Sequence, residues 1–295
     1  SKRHKRGNID LNIEESHISV NEKGKIVVEP RTSLDAYKII EEFMIVTNET
    51  VAEYCFYMKL PFIYRTHEKP DSEKLERFRS FLKVLGFIVK WNNETCHPKD
   101  FQTILDGIQG EPIYNVVNKV MLRSMQKAKY SPENIGHFGL SSTCYCHFTS
   151  PIRRYPDLVV HSIIKSMLKG QDIEGIYGEF VKEASVISSE NERKADEVER
   201  TMDDYYKCRY MRSFIGDEFA GIISGVTNFG VFVELENTVE GIVKLDTLKK
   251  GRYNFDERTF TLSSNDRAYT LGQSEVVKVL GVDMSARKVE FKILD

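Results

Sequence analysis

Apolar positions in the first 212 residues recur mostly at helical spacing. From Ser33, which reads as an N-cap, Ala36, Ile39, Ile40, Phe43, Met44, Thr47 and Val51 return every three or four residues and define one helical face. A second helix is predicted from Thr66 to about Leu85, entered through Lys69-Pro70-Asp71-Ser72, with Leu75, Phe78, Leu82 and Leu85 as its apolar positions. Residues 114–129 predict a third amphipathic helix, 151–169 a helix opened by Pro151, and 172–212 a long charged one; 131–150, with SPEN, Gly136 and Gly139, read as irregular. Ahead of these, Ile9, Leu11 and Ile13 alternate with polar residues and Ile26, Val27 and Val28 form an apolar run. The pattern predicts strands around a turn at Lys23-Gly24. A strand this near a terminus needs a sheet partner, and part of that sheet is expected in sequence preceding Ser1.

The period changes after Gly216. Strand-like runs occupy 219–226, 230–235, 241–245, 275–282 and 289–294, separated by turn signals at Thr227-Asn228, Glu236-Asn237, Gly251 and Asp283-Met284-Ser285. Five short strands in 79 residues predict a small Greek-key barrel of the OB type. The fold class is therefore α+β, with a domain boundary near 212–217.

Composition agrees with this division. At roughly 100–200 residues per domain, 295 residues suit two domains. With 41% hydrophobic residues, including 17 Phe and 14 Tyr, the chain can build a sizeable core. No run of about 18 apolar residues predicts a transmembrane helix, and no secretory signal is visible, so no membrane partner is expected. Five scattered cysteines without a CxxC pair read as reduced, buried thiols of a cytoplasmic protein. The net charge of −2 hides an asymmetry: residues 112–170 carry eight Lys and Arg against two acidic residues, whereas 217–295 carry ten against thirteen. The basic block suits either an anionic partner held at one place or a solvated helix face.

The richest chemistry lies in HFGLSSTCYCHFTSPIRRYPDLVVH, residues 137–161. Pro151 suits a first helical turn and Ser150 its cap, so backbone N–H groups would face outward beside Arg153, Arg154 and Tyr155. Planar guanidiniums donate paired bonds to phosphate, and Asp157 can orient one of them. These residues describe a phosphate clamp; the alternative is an intramolecular salt-bridge cluster that pins the helix. His137, His147 and His161, spaced by 10 and 14 residues, match no zinc motif, and Asp203-Asp204 read as a solvated helix face.

HFTSPIRRYPDL closely resembles the signature of the RNB family, the ribonuclease II and ribonuclease R exoribonucleases. The resemblance continues, in order, through IIEEFMIVTNETVAE (39–53), YRTHEKP (64–70), LRSMQKAKYSPENIGHFGL (122–140) and ERKADEVER (192–200). Residues 217–295 are similar to an S1 RNA-binding domain, and the ribonuclease R type fits best. The resemblance implies that 1–212 are the C-terminal part of an RNB domain, helices packed on a mixed sheet, followed by a five-stranded OB-fold S1 barrel. It implies a processive 3′→5′ exoribonuclease that hydrolyses single-stranded RNA to nucleoside 5′-monophosphates. Its Mg2+ (or Mn2+) would be held by aspartates upstream of this chain, with no metal held by the chain alone. Carried over by motif, Arg153 would hold phosphate near the scissile bond and Glu41 would contact the 3′-terminal ribose. His147, Thr149, Ser150, Arg154 and Tyr155 would surround the RNA 3′ end, and Glu199 would lie near the RNA path and influence product release. In the barrel, Phe229 and Phe232 would stack on bases, joined by Phe219 and Tyr253, beside a basic face of Lys244, Lys249, Lys250 and Arg252. The expected partners are a single-stranded RNA 3′ end and the missing N-terminal part of the same enzyme. The alternative function is an inactive RNA-gripping module, or one half of a split enzyme.

Overall fold

The computed structural model describes positions 5–9, 15–31, 34–87, 89, 96–111, 113–249, 251–257 and 259–294. Ser33, Leu11, Ile13 and Lys250 lie outside the described residues. The first strands form an antiparallel hairpin, β1 (Ser16–Val20) and β2 (Ile26–Pro30), with Ser19 opposite Val27. The turn falls where predicted: Asn21 Oδ1 accepts from the N–H groups of Lys23 and Lys25, and Gly24 takes φ +72°, which suits glycine. The alternation from Ile9 to Ile13 lies mostly outside the described residues. The Ile9 N–H donates to the Gly139 carbonyl, 3.0 Å away.

Helix α1 (Asp35–Tyr57) is where predicted but turns a different face inward. Ile45, Asn48, Ala52 and Cys55 are buried, whereas Ile39, Ile40 and Phe43 are 58%, 59% and 68% exposed. Strand β3 (Tyr64–Thr66) replaces the predicted start of the second helix. Helix α2 (Ser72–Val84) begins after Asp71, whose Oδ1 accepts from the Glu73 N–H at 2.8 Å. Helix α3 (Pro98–Gly107), capped by His97 and Asp100, has no counterpart in the periodicity reading. Helix α4 (Tyr114–Ser124) stops short of 129 because β4 (Lys129–Ser131) pairs antiparallel with β3. Helix α5 (Tyr155–Leu168) follows the irregular 132–154 stretch. The predicted 172–212 helix is two pieces, α6 (Ile173–Tyr177) and α7 (Phe180–Met211), interrupted at Gly178 and Glu179.

The five predicted barrel strands all form. They are β5 (Glu218–Thr227), β6 (Gly230–Leu235) and β7 (Glu240–Lys244), then β11 (Ser274–Asp283) and β12 (Lys288–Ile293). Between them lies a small sheet of β8 (Asn254–Asp256), β9 (Thr261–Ser263) and β10 (Ala268–Thr270). The barrel closes in the order β11-β12-β7-β6-β5, with only β12 and β7 parallel. Ile223, Val231, Val233, Val243, Val277 and Phe291 fill it, all fully buried. Gly230 has φ +153°, and a Cβ there would lie 2.3 Å from the Val243 carbonyl oxygen, so the close β6–β7 approach excludes a side chain.

Two apolar cores result. One joins the barrel to α2, α3 and α4 through Leu75, Phe78, Phe101, Val117 and Met121. The other packs Ala52, Cys55, Phe62, Cys144, Cys146, Val160, Ile163 and Ala184, and supports the signature loop. All five cysteines are buried free thiols, and burial pushes Cys55, Cys96 and Cys144 up to about 12, as expected of small hydrophobes rather than nucleophiles. Among the described residues, no helix is long and apolar enough to cross a membrane.

Candidate nucleic-acid interface

The signature loop is held by side chains from three directions. Asn48, 2% exposed on α1, donates through Nδ2 to Tyr145 Oη at 3.0 Å and accepts through Oδ1 from the Phe148 N–H at 3.0 Å. Its carbonyl accepts from Cys146 Sγ. From β3, the Arg65 N–H donates to the Tyr145 carbonyl, while its guanidinium lies 4.6 Å from the Tyr130 ring centroid and pairs with Glu192 of α7 at 2.6 Å. From α5, Asp157 is fully buried and its Oδ1 accepts from both the Ser150 N–H and Arg154 Nη2, each at 2.8 Å. His161 stacks on Phe148 at 4.0 Å between centroids and bonds to its carbonyl.

The helix start differs from the sequence expectation. Helix α5 begins at Tyr155 with Arg154 as its N-cap and Pro156 in its first turn, so Pro151 lies before it and Ser150 is not its cap. Ser150 instead closes a separate turn, its carbonyl accepting from the N–H groups of Arg153 and Arg154. The two arginines consequently diverge. Arg154 is turned inward onto Asp157 with its side chain 19% exposed. Arg153 is exposed and has no side-chain partner among the described residues. Tyr155 is 52% exposed beside it. Thr149 Oγ1, Arg154 Nε and Asp157 Oδ2 are buried without a hydrogen-bond partner among the described residues, a concentration of unsatisfied polar atoms in one turn.

Behind the turn runs a series of uncharged rings. His67 and His137 are 5.0 Å apart between centroids, His137 and Tyr145 5.4 Å, Tyr145 and His147 5.8 Å, and Tyr130 and His147 5.6 Å. His67 Nδ1 accepts from the Gly139 N–H, so Nε2 carries the proton donated to the Gln126 carbonyl. Burial, aided by neighbouring positive charge, holds His147 down to about 2; burial and the His67 ring hold His137 down to about 3. As pH falls, the unfolded chain takes up protons first, near an ordinary value of about 6.5. The stability from these neutral rings is therefore complete above about pH 6.5 and declines on acidification towards the folded values. Between about pH 7.5 and about pH 5.5, each of the two is expected to lower stability by about 1 kcal/mol, read as a falling urea midpoint. His147→Gln should flatten that dependence, and an unchanged slope would refute the neutral assignment.

Glu41 and Glu199 occupy corresponding places on the two flanking helices. Glu41 lies two turns before Asn48 on the same face of α1, where the buried stripe runs out into solvent. Glu199 lies two turns beyond Glu192 on α7, again exposed. Asn48, Arg65, His67, Asp157 and His161 all bond to the loop, whereas neither glutamate has a hydrogen bond or ion pair to it among the described residues. In the barrel, Phe229 is 54% exposed and meets Phe232 edge-on at 6.1 Å. Arg252 is exposed, whereas Lys244 is ion-paired with Glu290. Phe219 packs on Phe214 and the Tyr253 hydroxyl donates to the Lys249 carbonyl, so both are partly engaged in structure.

The RNB domain model matches residues 1–170, and the S1 RNA binding domain model matches residues 212–294. This chain belongs to the RNB domain family. It is 44% identical to Ribonuclease R of Aquifex aeolicus over 301 residues, covering 100% of this chain and 42% of that protein. It is 40% identical to Ribonuclease R 1 of Lactococcus lactis, covering 99% and 36%. Among solved structures, Mycoplasma genitalium RNase R in complex with ribose methylated single-stranded RNA matches with a TM-score of 0.93 at 28% identity, covering 99% of this chain and 47% of that one. The chain thus spans less than half the length of these relatives.

Sequence reasoning missed Asn48, Arg65, Tyr130, Ser189 and Glu192, which hold the loop and its supports in place. Ser189 Oγ accepts from the Tyr130 N–H at 2.9 Å and completes the attachment of β4 to α7. Arg65 and Glu192 both fall inside family motifs, 64–70 and 192–200, and that position was their signal. Asn48 and Tyr130 likewise fall inside motifs, 39–53 and 122–140, whereas Ser189 carried no such signal.

Proposed function

We propose that this chain is the RNA-gripping part of a 3′→5′ exoribonuclease of the ribonuclease R type, acting on single-stranded RNA and releasing nucleoside 5′-monophosphates. The reading divides it into an RNB segment, 1–212, and an S1 barrel, 217–295. The observation that carries it is the turn at 150–154: Asp157 and Asn48 fix the backbone while Arg153 remains exposed. A guanidinium held this way can donate two charge-assisted bonds to a phosphodiester without giving up an internal partner. Tyr155 offers a ring and hydroxyl beside it. Glu41 can accept from ribose hydroxyls, the groups that distinguish RNA from DNA. Glu199, on the outer continuation of the α7 face, is assigned to the path of the RNA.

Among the described residues no group of three His, Cys, Asp or Glu could hold a metal ion. The described residues therefore offer no ligand set for the divalent ion that the complete enzyme is proposed to need. A second reading, for the isolated polypeptide, is RNA binding without turnover. The expected result is salt-dependent binding of single-stranded RNA by the purified chain, with a log–log slope of about −0.7 per phosphate contacted. No shortened products should accumulate with Mg2+ or Mn2+ present. Salt-independent binding would refute the clamp, and product formation would refute the division of labour.

A further inference from the structure

The barrel's aromatic face poses an electrostatic problem. Phe229 and Phe232 offer rings, yet residues 217–295 carry more acidic than basic groups, and Lys244 is paired with Glu290. Stacking supplies no neutralisation of phosphate, which single-strand binders normally provide with a cationic groove.

A cleft of about 410 Å³ lies where β5 and β6 face α2 and α4. Its volume is within the range of about 300–1,000 Å³ common to ligand pockets. Phe232 lines it from the barrel side, and Phe260 lines it from the loop between β8 and β9. Phe260 has φ +48°, a backbone conformation costly for an aromatic residue, and its ring meets Phe81 of α2 edge-on at 5.9 Å. Lys74 of α2 and Arg123 of α4 line the opposite side. Both are exposed and neither has a side-chain partner among the described residues. Their neighbour Arg77 differs: Glu73 and Glu257 neutralise it. Glu240, the acidic residue of the cleft, accepts from Ser224 Oγ at 2.6 Å. The cleft therefore has an apolar, ring-lined floor and two unpaired cations on one wall.

We infer that this cleft is a composite single-stranded RNA subsite, in which the barrel presents Phe232 and Phe260 to a base while Lys74 and Arg123 from the helical segment hold the adjacent phosphates. The inference rests on the RNA-binding reading above and adds residues that it does not use. The shared core that joins α2 and α4 to the barrel fixes the two walls relative to each other, so the charges and rings are preorganised.

The test is fluorescence anisotropy of the 295-residue chain with a fluorescein-labelled single-stranded oligoadenylate, across about 50–300 mM KCl. Removing both cations (Lys74→Ala with Arg123→Ala) should weaken binding about tenfold at the low-salt end and reduce the slope by about 0.7 for each phosphate no longer neutralised. Phe260→Leu should weaken binding about fivefold or more with the slope unchanged. Both cations are on the surface, so matching unfolding midpoints are expected and guard against a folding artefact. An unchanged slope in the Lys74/Arg123 variant, or unchanged affinity in Phe260→Leu, overturns the composite subsite. If only Arg153→Ala lowers the slope, the subsite fails while the clamp stands; if the chain binds no oligoadenylate, both fail.

Discussion

On the proposed exoribonuclease function, Arg153→Ala in the full-length protein is expected to lower kcat by about 10²–10³-fold, the scale seen when one preorganised donor to developing charge is removed. RNA affinity should fall much less, because a single phosphate contact is a small part of the electrostatic binding of a strand. The reason is structural: Arg153 is exposed from a turn whose backbone is fixed by Asp157 and by the Ser150 carbonyl, so its guanidinium needs no reorganisation to meet a phosphate. Single-turnover degradation of a labelled oligonucleotide, set beside equilibrium binding, separates the two effects. Equal losses in rate and affinity would reassign Arg153 to ground-state binding.

The second large effect is on stability. Asp157→Ala should destabilise the chain by about 3–5 kcal/mol, because it leaves the largely buried Arg154 cation without its partner. It also orphans the Ser150 N–H. Replacing both ends, Arg154→Met with Asp157→Leu, should recover much of that loss, since no uncompensated charge is then buried. Urea unfolding of the two variants checks this, and a double variant less stable than Asp157→Ala would contradict it. Together the two experiments distinguish neighbours in sequence: Arg153 faces outward and is expected to act on RNA, while Arg154 faces inward and holds the turn.

The barrel was legible because its information is local. Alternation along each strand and a turn signal between strands place Ile223, Val231, Val233 and Phe291 inside without knowledge of distant contacts. The inward face of α1 was not legible, because it is chosen by residues about a hundred positions away. Asn48 is buried through its bonds to Tyr145 and Phe148, and a polar residue cannot announce that in a hydrophobic pattern. The start of α5 was misread for a different reason. Two prolines, Pro151 and Pro156, both suit a first turn, and only the buried Asp157 decides between them by drawing the Ser150 N–H away from the helix. The electrostatics of the barrel were likewise hidden: counting charges in 217–295 could not reveal that Lys244 is taken by Glu290 or that Lys74 and Arg123 face the barrel.

Helix α7 runs unbroken for 32 residues, about 48 Å of rod. About a third of the way along, Ser189 and Glu192 grip β4 and Arg65; near the far end Lys207 Nζ donates to the Thr238 carbonyl in the barrel, 3.2 Å away. A rod of this kind sets spacing as a strut does, not as a tether. Inserting a single turn between Glu192 and Lys207 would push the two anchorages about 5.4 Å apart with little change in heading, so the helix's residue count is itself a dimension of the machine.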